Sequence, residues 1–381
     1  MRKVAVILAA MILCMTLCTG CWDMVQSDEQ NYVLGIGLDV GEAEGNVSVT
    51  FQVALPSAMF NEGGGEREQT FSLTTEEHSI EEARFDALFA SSEQLNLEHV
   101  QIVVITEKLA RQGIDSLLNY FFRNVMVRRS LTVVILDESG TLEDLFALEP
   151  PNGTPLPEYL VNLVKTNSYS AQSSINASNL LNISLAGLEN NRLDYMIDRI
   201  GYDQEENKVY IAGGCAVSEG KMVGKLNTDE LETLQWLQPG NNAPVVAVYY
   251  GEDHWTFQVD NQTTKIKPCV DQEGLRFDID IAASCQLTET KSGLNSINTM
   301  DDQFLNVAAQ VVAGKLQWQC EALLERMQKE WNADLLNLET YTRTEQPTWW
   351  REHGDTFFQQ YPDMRIRLNF IIEVRRVGHV D

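Results

Sequence analysis

Cys21 is the residue whose surroundings point to a defined covalent reaction. It follows Thr19-Gly20 at the end of a basic start, Arg2-Lys3, and an apolar run from Val4 to Leu17. That run falls short of the roughly 20 residues a spanning helix needs and lies in the length range of a secretory signal core. Cys14 and Cys18 both follow Leu, so only Cys21 has a small residue before it. Thr19 and Gly20 resemble the last two positions of a lipobox, although Cys18 stands where that motif prefers Leu. The expected chemistry is removal of residues 1–20 as a signal peptide and a diacylglyceryl thioether on Cys21, the new terminus. Ordinary secretory cleavage and an uncleaved anchor are the alternatives. Each buried CH₂ of an acyl chain contributes about 0.8 kcal/mol, so two or three chains hold such a protein stably at a bilayer.

The other reactive residues form no catalytic pattern. Cys215, Cys269, Cys285 and Cys320 are too sparse for a disulfide scaffold and fit no zinc spacing, so buried free thiols are expected, with one disulfide as the alternative. The histidines, His78, His99, His254, His353 and His379, lie far apart. There is no G-x-S-x-G elbow, no H-E-x-x-H and no P-loop. Gly35-Ile36-Gly37 lacks the third glycine of a dinucleotide loop and precedes a turn where a helix should open. Acidic pairs such as Glu76-Glu77 and Glu81-Glu82 are expected as solvated helix starts in a chain with 55 carboxylates. Arg123, Arg128 and Arg129 cluster; an internal salt-bridge set is favoured over an anion or a partner's carboxylates. No catalytic, cofactor or metal site is expected.

Charge narrows the partners. The chain has 28 basic and 55 acidic residues, net −27, and removing Arg2 and Lys3 with the signal leaves 26 against 55, about −29. Nucleic acid is an unsuitable partner for such a body. Anionic lipid heads repel it too, so membrane attachment is expected through the lipid and partner proteins, not through a basic patch.

The elements that position these residues follow from periodicity. Tyr32–Val40 and Val47–Leu55 pattern as a hairpin. Ser79 with Glu82 opens a helix to about Ser92, with Ala83, Leu88 and Phe89 on one side. Val100–Ile105, Ile114–Phe122 and Leu131–Leu136 give strand, helix, strand. A short helix is expected over Ser178–Gly187 and a domain boundary near Gly201. Beyond it come a hairpin at Val209–Lys225, a helix at Thr228–Leu237, and strands at Val245–Tyr250, His254–Val259 and Leu275–Leu287. Thr299 with Asp302 opens the longest helix, to about Trp331, whose apolar stripe should bury against that sheet. Met364 to Val374 alternates strictly, a long final strand with a wet face. Trp349-Trp350 is expected to be core. The fold class is α+β and multi-domain, with mixed and antiparallel sheets, packed helices, and a C-terminal domain holding one long helix against a sheet.

The chain resembles the GerAC-like, or Ger(x)C, family, the lipoprotein C subunits of spore germinant receptors. The resemblance rests on ordered blocks: GCWD at Gly20–Asp23 with YVLGIGLDV at Tyr32–Val40, HVQIVVITEKLARQGIDSLLNYFFRN at His99–Asn124, GGCAVSEGKMVGKLNTDELETLQWL at Gly213–Leu237, ADLLNLETYTRTEQPTWW at Ala333–Trp350, and FFQQYPDMRIRLNFIIEVRRVG at Phe357–Gly378. Cys215, where Thr is usual, and the Leu335–Leu338 stretch depart from it. The resemblance implies a non-enzymatic, lipid-anchored subunit on the outer face of the inner spore membrane, beside integral-membrane A and B subunits, in a complex triggered by small nutrients. It also implies three α+β domains, giving signal 1–20 and domains 21–200, 201–265 and 266–381. The rivals are an extracytoplasmic solute-binding lipoprotein, which needs a cleft between two similar lobes, and a lipid-anchored hydrolase, which needs a cleft with paired carboxylates or a Ser/His set.

Overall fold

A computed structural model describes residues 30–54, 70–91, 93–170, 179–181, 183, 192, 194–240, 245–290 and 302–375. The expected signal peptide, Cys21, Thr299 and most of the helix expected at 178–187 lie outside the described residues.

Strands β1 (Gln30–Val40) and β2 (Val47–Ala54) pair antiparallel, and β3 (Thr70–Glu77) adds antiparallel to β2. Helix α1 (Ile80–Ala90) follows, its first turn capped by the Ser79 hydroxyl, which accepts the Glu82 N–H at 3.2 Å. It buries Ile80, Ala83 and Ala87 and exposes Phe85 and Phe89. The expected burial of Phe89 is corrected here: nine residues beyond Ile80 at 100° each bring it to the opposite side of the helix. Small residues on the inner stripe let the helix lie close to the sheet.

Next come β4 (Gln94–Asn96), β5 (Ile102–Thr106), α2 (Glu107–Gln112), α3 (Asp115–Arg123), β6 (Thr132–Leu136), α4 (Leu142–Phe146) and α5 (Leu156–Ser170). Strands β7 (Asp194–Asp203), β8 (Lys208–Ser218) and β9 (Lys221–Leu226) complete a sheet of order β3-β2-β1-β5-β6-β7-β8-β9, with β4 parallel to the start of β1. The central strands β1, β5, β6 and β7 run parallel; the flanks are antiparallel. Strands β5 and β6 are buried at every position, because one core forms on the side of α1 to α3 and another under α4 and α5. Gly35 and Gly37 are explained by that second core. A Cβ on Gly37 would come within 2.6 Å of the Phe146 ring, and one on Gly35 within 3.0 Å of Pro157.

The remainder is α6 (Thr228–Leu237), β10 (Val245–Tyr250), β11 (Asp253–Asp271), β12 (Gly274–Thr290), α7 (Asp302–Glu325), α8 (Leu338–Glu345), α9 (Pro347–His353), α10 (Phe357–Gln360) and β13 (Arg365–Arg375). Its sheet runs β10-β11-β12-β13, antiparallel except for the final parallel pair. In β12, Leu275, Phe277, Ile279, Ile281, Ala283, Cys285 and Leu287 are buried, as their alternation predicts. Ala308, Val312, Leu316, Cys320 and Leu323 of α7 join the same core, so the long helix does lie against the sheet. After Glu325 the helix widens into a π-helical turn, Arg326–Glu330. The architecture is the expected α+β arrangement. Residue 201 lies inside β7 and residue 265 inside β11.

Candidate functional site

Where the two sheets meet, charged side chains are closed off from water. Asp194 opens β7, with Arg192 two residues before it; Asp334 comes from the chain between the π-helical turn and α8, and Glu339 from the first turn of α8. That connection turns sharply at Asn332 and Asn337, at φ 46° and 56°, a left-handed region that asparagine tolerates better than most side chains. The Arg192 Nε donates to Asp194 Oδ1 and to Ser218 Oγ, both at 3.0 Å. Its Nη2 donates to the Asn332 carbonyl, and the guanidinium lies 4.4 Å from the centre of the Phe358 ring. The second Asp194 oxygen accepts the backbone N–H of Asp334 at 2.8 Å, and Asp334 Oδ2 accepts that of Glu339 at 2.9 Å. Tyr361 donates its buried hydroxyl to the Ala333 carbonyl at 3.1 Å.

The electrostatics are costly. Asp334 is 3% exposed and its Oδ1 has no hydrogen-bond partner. Burial pushes its pKa up to about 7, against the pull of the Glu339 and Leu338 N–H groups and with a further push from Asp194 and Glu339. Asp194 is raised as well, by burial above all, while the Asp334 N–H, Ser218 and Arg192 hold it down. The Asp334 backbone N–H, not its carboxyl, bonds Asp194, and burial is the main cause of both shifts. The two residues couple the start of β7 to the end of the long helix.

A second contact ties the same units together. Arg326 pairs with Glu230 of α6, donates to the Lys225 carbonyl at 3.3 Å and lies 4.5 Å over Trp331. Gly224 leaves room there, since a Cβ would sit 2.2 Å from the Trp331 indole. Within the first unit, Glu107 is 1% exposed, yet its Oε1 takes Arg111 at 2.7 Å and Lys225 at 2.7 Å. Its charge is paired through Oε1 alone, and the buried Oε2 has no hydrogen-bond partner.

None of these sets pairs a nucleophile with a base. Among the described residues, the four cysteines Cys215, Cys269, Cys285 and Cys320 are free thiols. Burial pushes Cys215 and Cys320 up to about 12 and Cys285 to about 11, so none of these three forms thiolate at neutral pH. Native chain beginning at residue 22 should therefore give about one equivalent of thiol with a disulfide-exchange reagent, from half-exposed Cys269, and four after denaturation. Two or more fast equivalents in native protein would contradict this burial. Among the described residues, no group of three or more His, Cys, Asp or Glu side chains could hold a metal ion. Open surface grooves of about 450 Å³ along α1 and about 340 Å³ beside β13 occur among the described residues, with a smaller one of about 160 Å³ beside the π-helical turn, lined in part by Gln328, which donates to the Tyr361 carbonyl.

The residues singled out by sequence fall as follows. Cys21 lies outside the described residues. Arg123, Arg128 and Arg129 are exposed, and among the described residues none makes an ion pair; the expected salt-bridge set is absent there. Trp349 and Trp350 are half-buried against the C-terminal core, one stacked on His353 at 4.8 Å, the other 5.7 Å from Phe357. Sequence reasoning did not find the Asp194–Asp334 pair. Its one trace was Ala333-Asp334, which opens a resemblance block.

Comparison with known proteins accounts for almost the whole chain. Residues 23–202 match the spore germination protein N-terminal domain family, and residues 213–378 match the spore germination B3/GerAC-like C-terminal family. Spore germination protein B3 of Bacillus subtilis (strain 168) is 26% identical over 372 residues, covering 96% of each chain. Spore germination protein A3 of the same organism is 22% identical, over 95% of this chain and 96% of that protein. The crystal structure of the GerBC protein superposes with a TM-score of 0.55 at 19% identity, over 93% of this chain and all of that one, a likeness of fold. With both domain families present in order across residues 23–378, the chain belongs to the GerAC-like family of spore germination proteins, the C subunits of germinant receptors.

Proposed function

We propose that the mature chain is a lipid-anchored, non-catalytic C subunit of a nutrient germinant receptor. Family membership gives it a role in spore germination. The finer reading is that a diacylglyceryl group on Cys21 holds it at the outer face of the inner spore membrane, beside integral-membrane A and B subunits, where it takes part in the response to small nutrients. The observation that carries this reading is the position of Cys21. It stands two residues before the first family match begins at Asp23, behind a short apolar run that ends in Thr19-Gly20. No described helix is long and apolar enough to cross a membrane, so the described body supplies no helical anchor of its own. The ionisable groups of the junction are spent on joining the two sheets of the chain. The domain division 21–200, 201–265 and 266–381 is part of this proposal, and the family matches divide the chain between 202 and 213, close to its first boundary.

The test is membrane fractionation of wild type and Cys21→Ala, each expressed with an A and a B subunit, followed by pull-down on the C-terminal end. Wild type should sediment with both partners, and the Cys21→Ala body should stay folded and soluble. Soluble wild type, or wild type that binds membranes without either partner, would overturn the receptor-subunit reading and favour the solute-binding lipoprotein.

A further inference from the structure

The directions of the central strands place two distant parts of the chain at one end of the first sheet. Strands β1, β5 and β6 are parallel, and a row of backbone hydrogen bonds crosses them: the Gln101 N–H donates to Leu34 and the Thr132 N–H to Gln101, both at 2.9 Å. The segments that lead into this row, residues 30–33, 97–100 and 124–131, all enter the sheet from the same end. Gln30 is nine residues from Cys21, a reach of about 30 Å at most. A lipid on Cys21 thus holds this end of the sheet near the bilayer.

The loop at that end has an unusual composition for this chain. From Ser116 to Leu136 there is no acidic residue, in a sequence that has 55 of them. Arg123, at the end of α3, and Arg128 and Arg129 are exposed, and none has an ion-pair partner among the described residues. Val125 stands between them, 98% exposed. Glu81 of α1, which accepts the Tyr120 hydroxyl at 2.7 Å, lies beside the end of α3; with Glu93 and Glu98 of the neighbouring segments and Glu219 at the β8–β9 turn it bears on the net charge of this end. Repulsion of the whole chain from anionic lipid, expected from its net charge of −27, is an average. An acidic body with a basic, acid-free loop at its tethered end is oriented by an anionic surface, loop inward. Three guanidiniums and one apolar side chain match a layer of phosphodiester headgroups over hydrocarbon.

We propose that the 123–129 loop is a membrane-facing contact: Arg123, Arg128 and Arg129 bind the phosphates of anionic phospholipids, and Val125 enters the interface. The contact sets the orientation of a body that the lipid already holds at the surface, where a local concentration replaces intrinsic affinity. This inference rests on the lipid-anchored reading above.

The test uses the full lipidated chain in vesicles of phosphatidylcholine, with and without phosphatidylglycerol, read by amide hydrogen exchange. Exchange of residues 123–131 should slow at least about fivefold on the anionic vesicles. The variant Arg123→Glu/Arg128→Glu/Arg129→Glu should lose that protection while exchange in β5 and β6 stays unchanged. Equal exchange on both vesicles, or equal protection in the variant, overturns the proposal. So does protection that needs an A or B subunit and not the anionic lipid, which assigns the loop to a protein partner. The mass of the mature N-terminal peptide reports separately on Cys21. If it carries no lipid, the anchored reading fails by itself. The loop is then tested with soluble chain added to the anionic vesicles, where cosedimentation should fall about tenfold on charge reversal; no binding, or binding indifferent to the reversal, overturns it.

Discussion

Arg192→Met is expected to destabilise the folded chain by about 3–5 kcal/mol at pH 8, the loss typical when one partner of a buried ion pair is removed. Methionine keeps the unbranched stem and deletes the guanidinium. Asp194, Ser218 and the Asn332 carbonyl all lose their donor, and the ring of Phe358 loses the cation resting on it. The cost arises mainly at Asp194, a buried carboxylate left with the Asp334 N–H as its chief support. Adding Asp194→Asn should therefore recover a good part of the loss, because the amide oxygen still accepts that N–H and no charge remains. Urea unfolding of chains beginning at residue 22 measures both. A loss below about 1 kcal/mol for Arg192→Met, or a double variant no more stable than the single one, would remove Arg192 from its assigned place.

Asp334→Asn should change the pH dependence of stability between pH 5 and pH 8. Burial raises the folded pKa of Asp334 from an ordinary 3.8 to about 7, so the folded chain holds this proton more tightly than the unfolded chain does. The resulting stability is complete below pH 4 and is lost as pH rises through 7. Between pH 5 and pH 8 that amounts to roughly 3 kcal/mol. The amide of Asp334→Asn keeps an acceptor for the Glu339 N–H and has no proton to lose. The advantage of the variant over wild type should therefore grow by about that amount between pH 5 and pH 8. The raised pKa of Asp194 gives the same sign in both proteins, whereas exposed carboxylates held low by partners, such as Glu76 and Asp271, act at lower pH. Parallel curves for the two proteins across this range would show that Asp334 ionises freely in the fold.

The elements that sequence revealed are those where a single face is buried. The alternation of β12 and β13, the stripe of α7 and the Ser79 cap each write their period into the chain. Helices α2 and α4 are too short to show a period, and Pro155 and Pro157 look like a break although the first turn of α5 accommodates Pro157. Strand β7 was hidden because both of its faces are covered, so Ile197, Ile200 and Tyr202 follow no simple alternation. In α1 the large Phe89 drew the apolar face to the wrong side, while Ala83 and Ala87 made the contact. The acidic junction was illegible for a different reason. Asp194 and Asp334 lie 140 residues apart and look like any of 55 carboxylates until the fold removes their water.

That separation orders events in time. A chain made from its N-terminus at about 5–20 residues per second delivers the Asp334 N–H roughly 10–30 s after Asp194. During that interval the start of β7 has neither its cap nor the Phe358 ring over Arg192. The first sheet can pair its strands early, but its last corner is sealed only by the nearly finished polypeptide. The junction thus acts as a late latch, and a chain interrupted before residue 334 keeps a hydrated Arg192–Asp194 pair where the complete protein has a dry one.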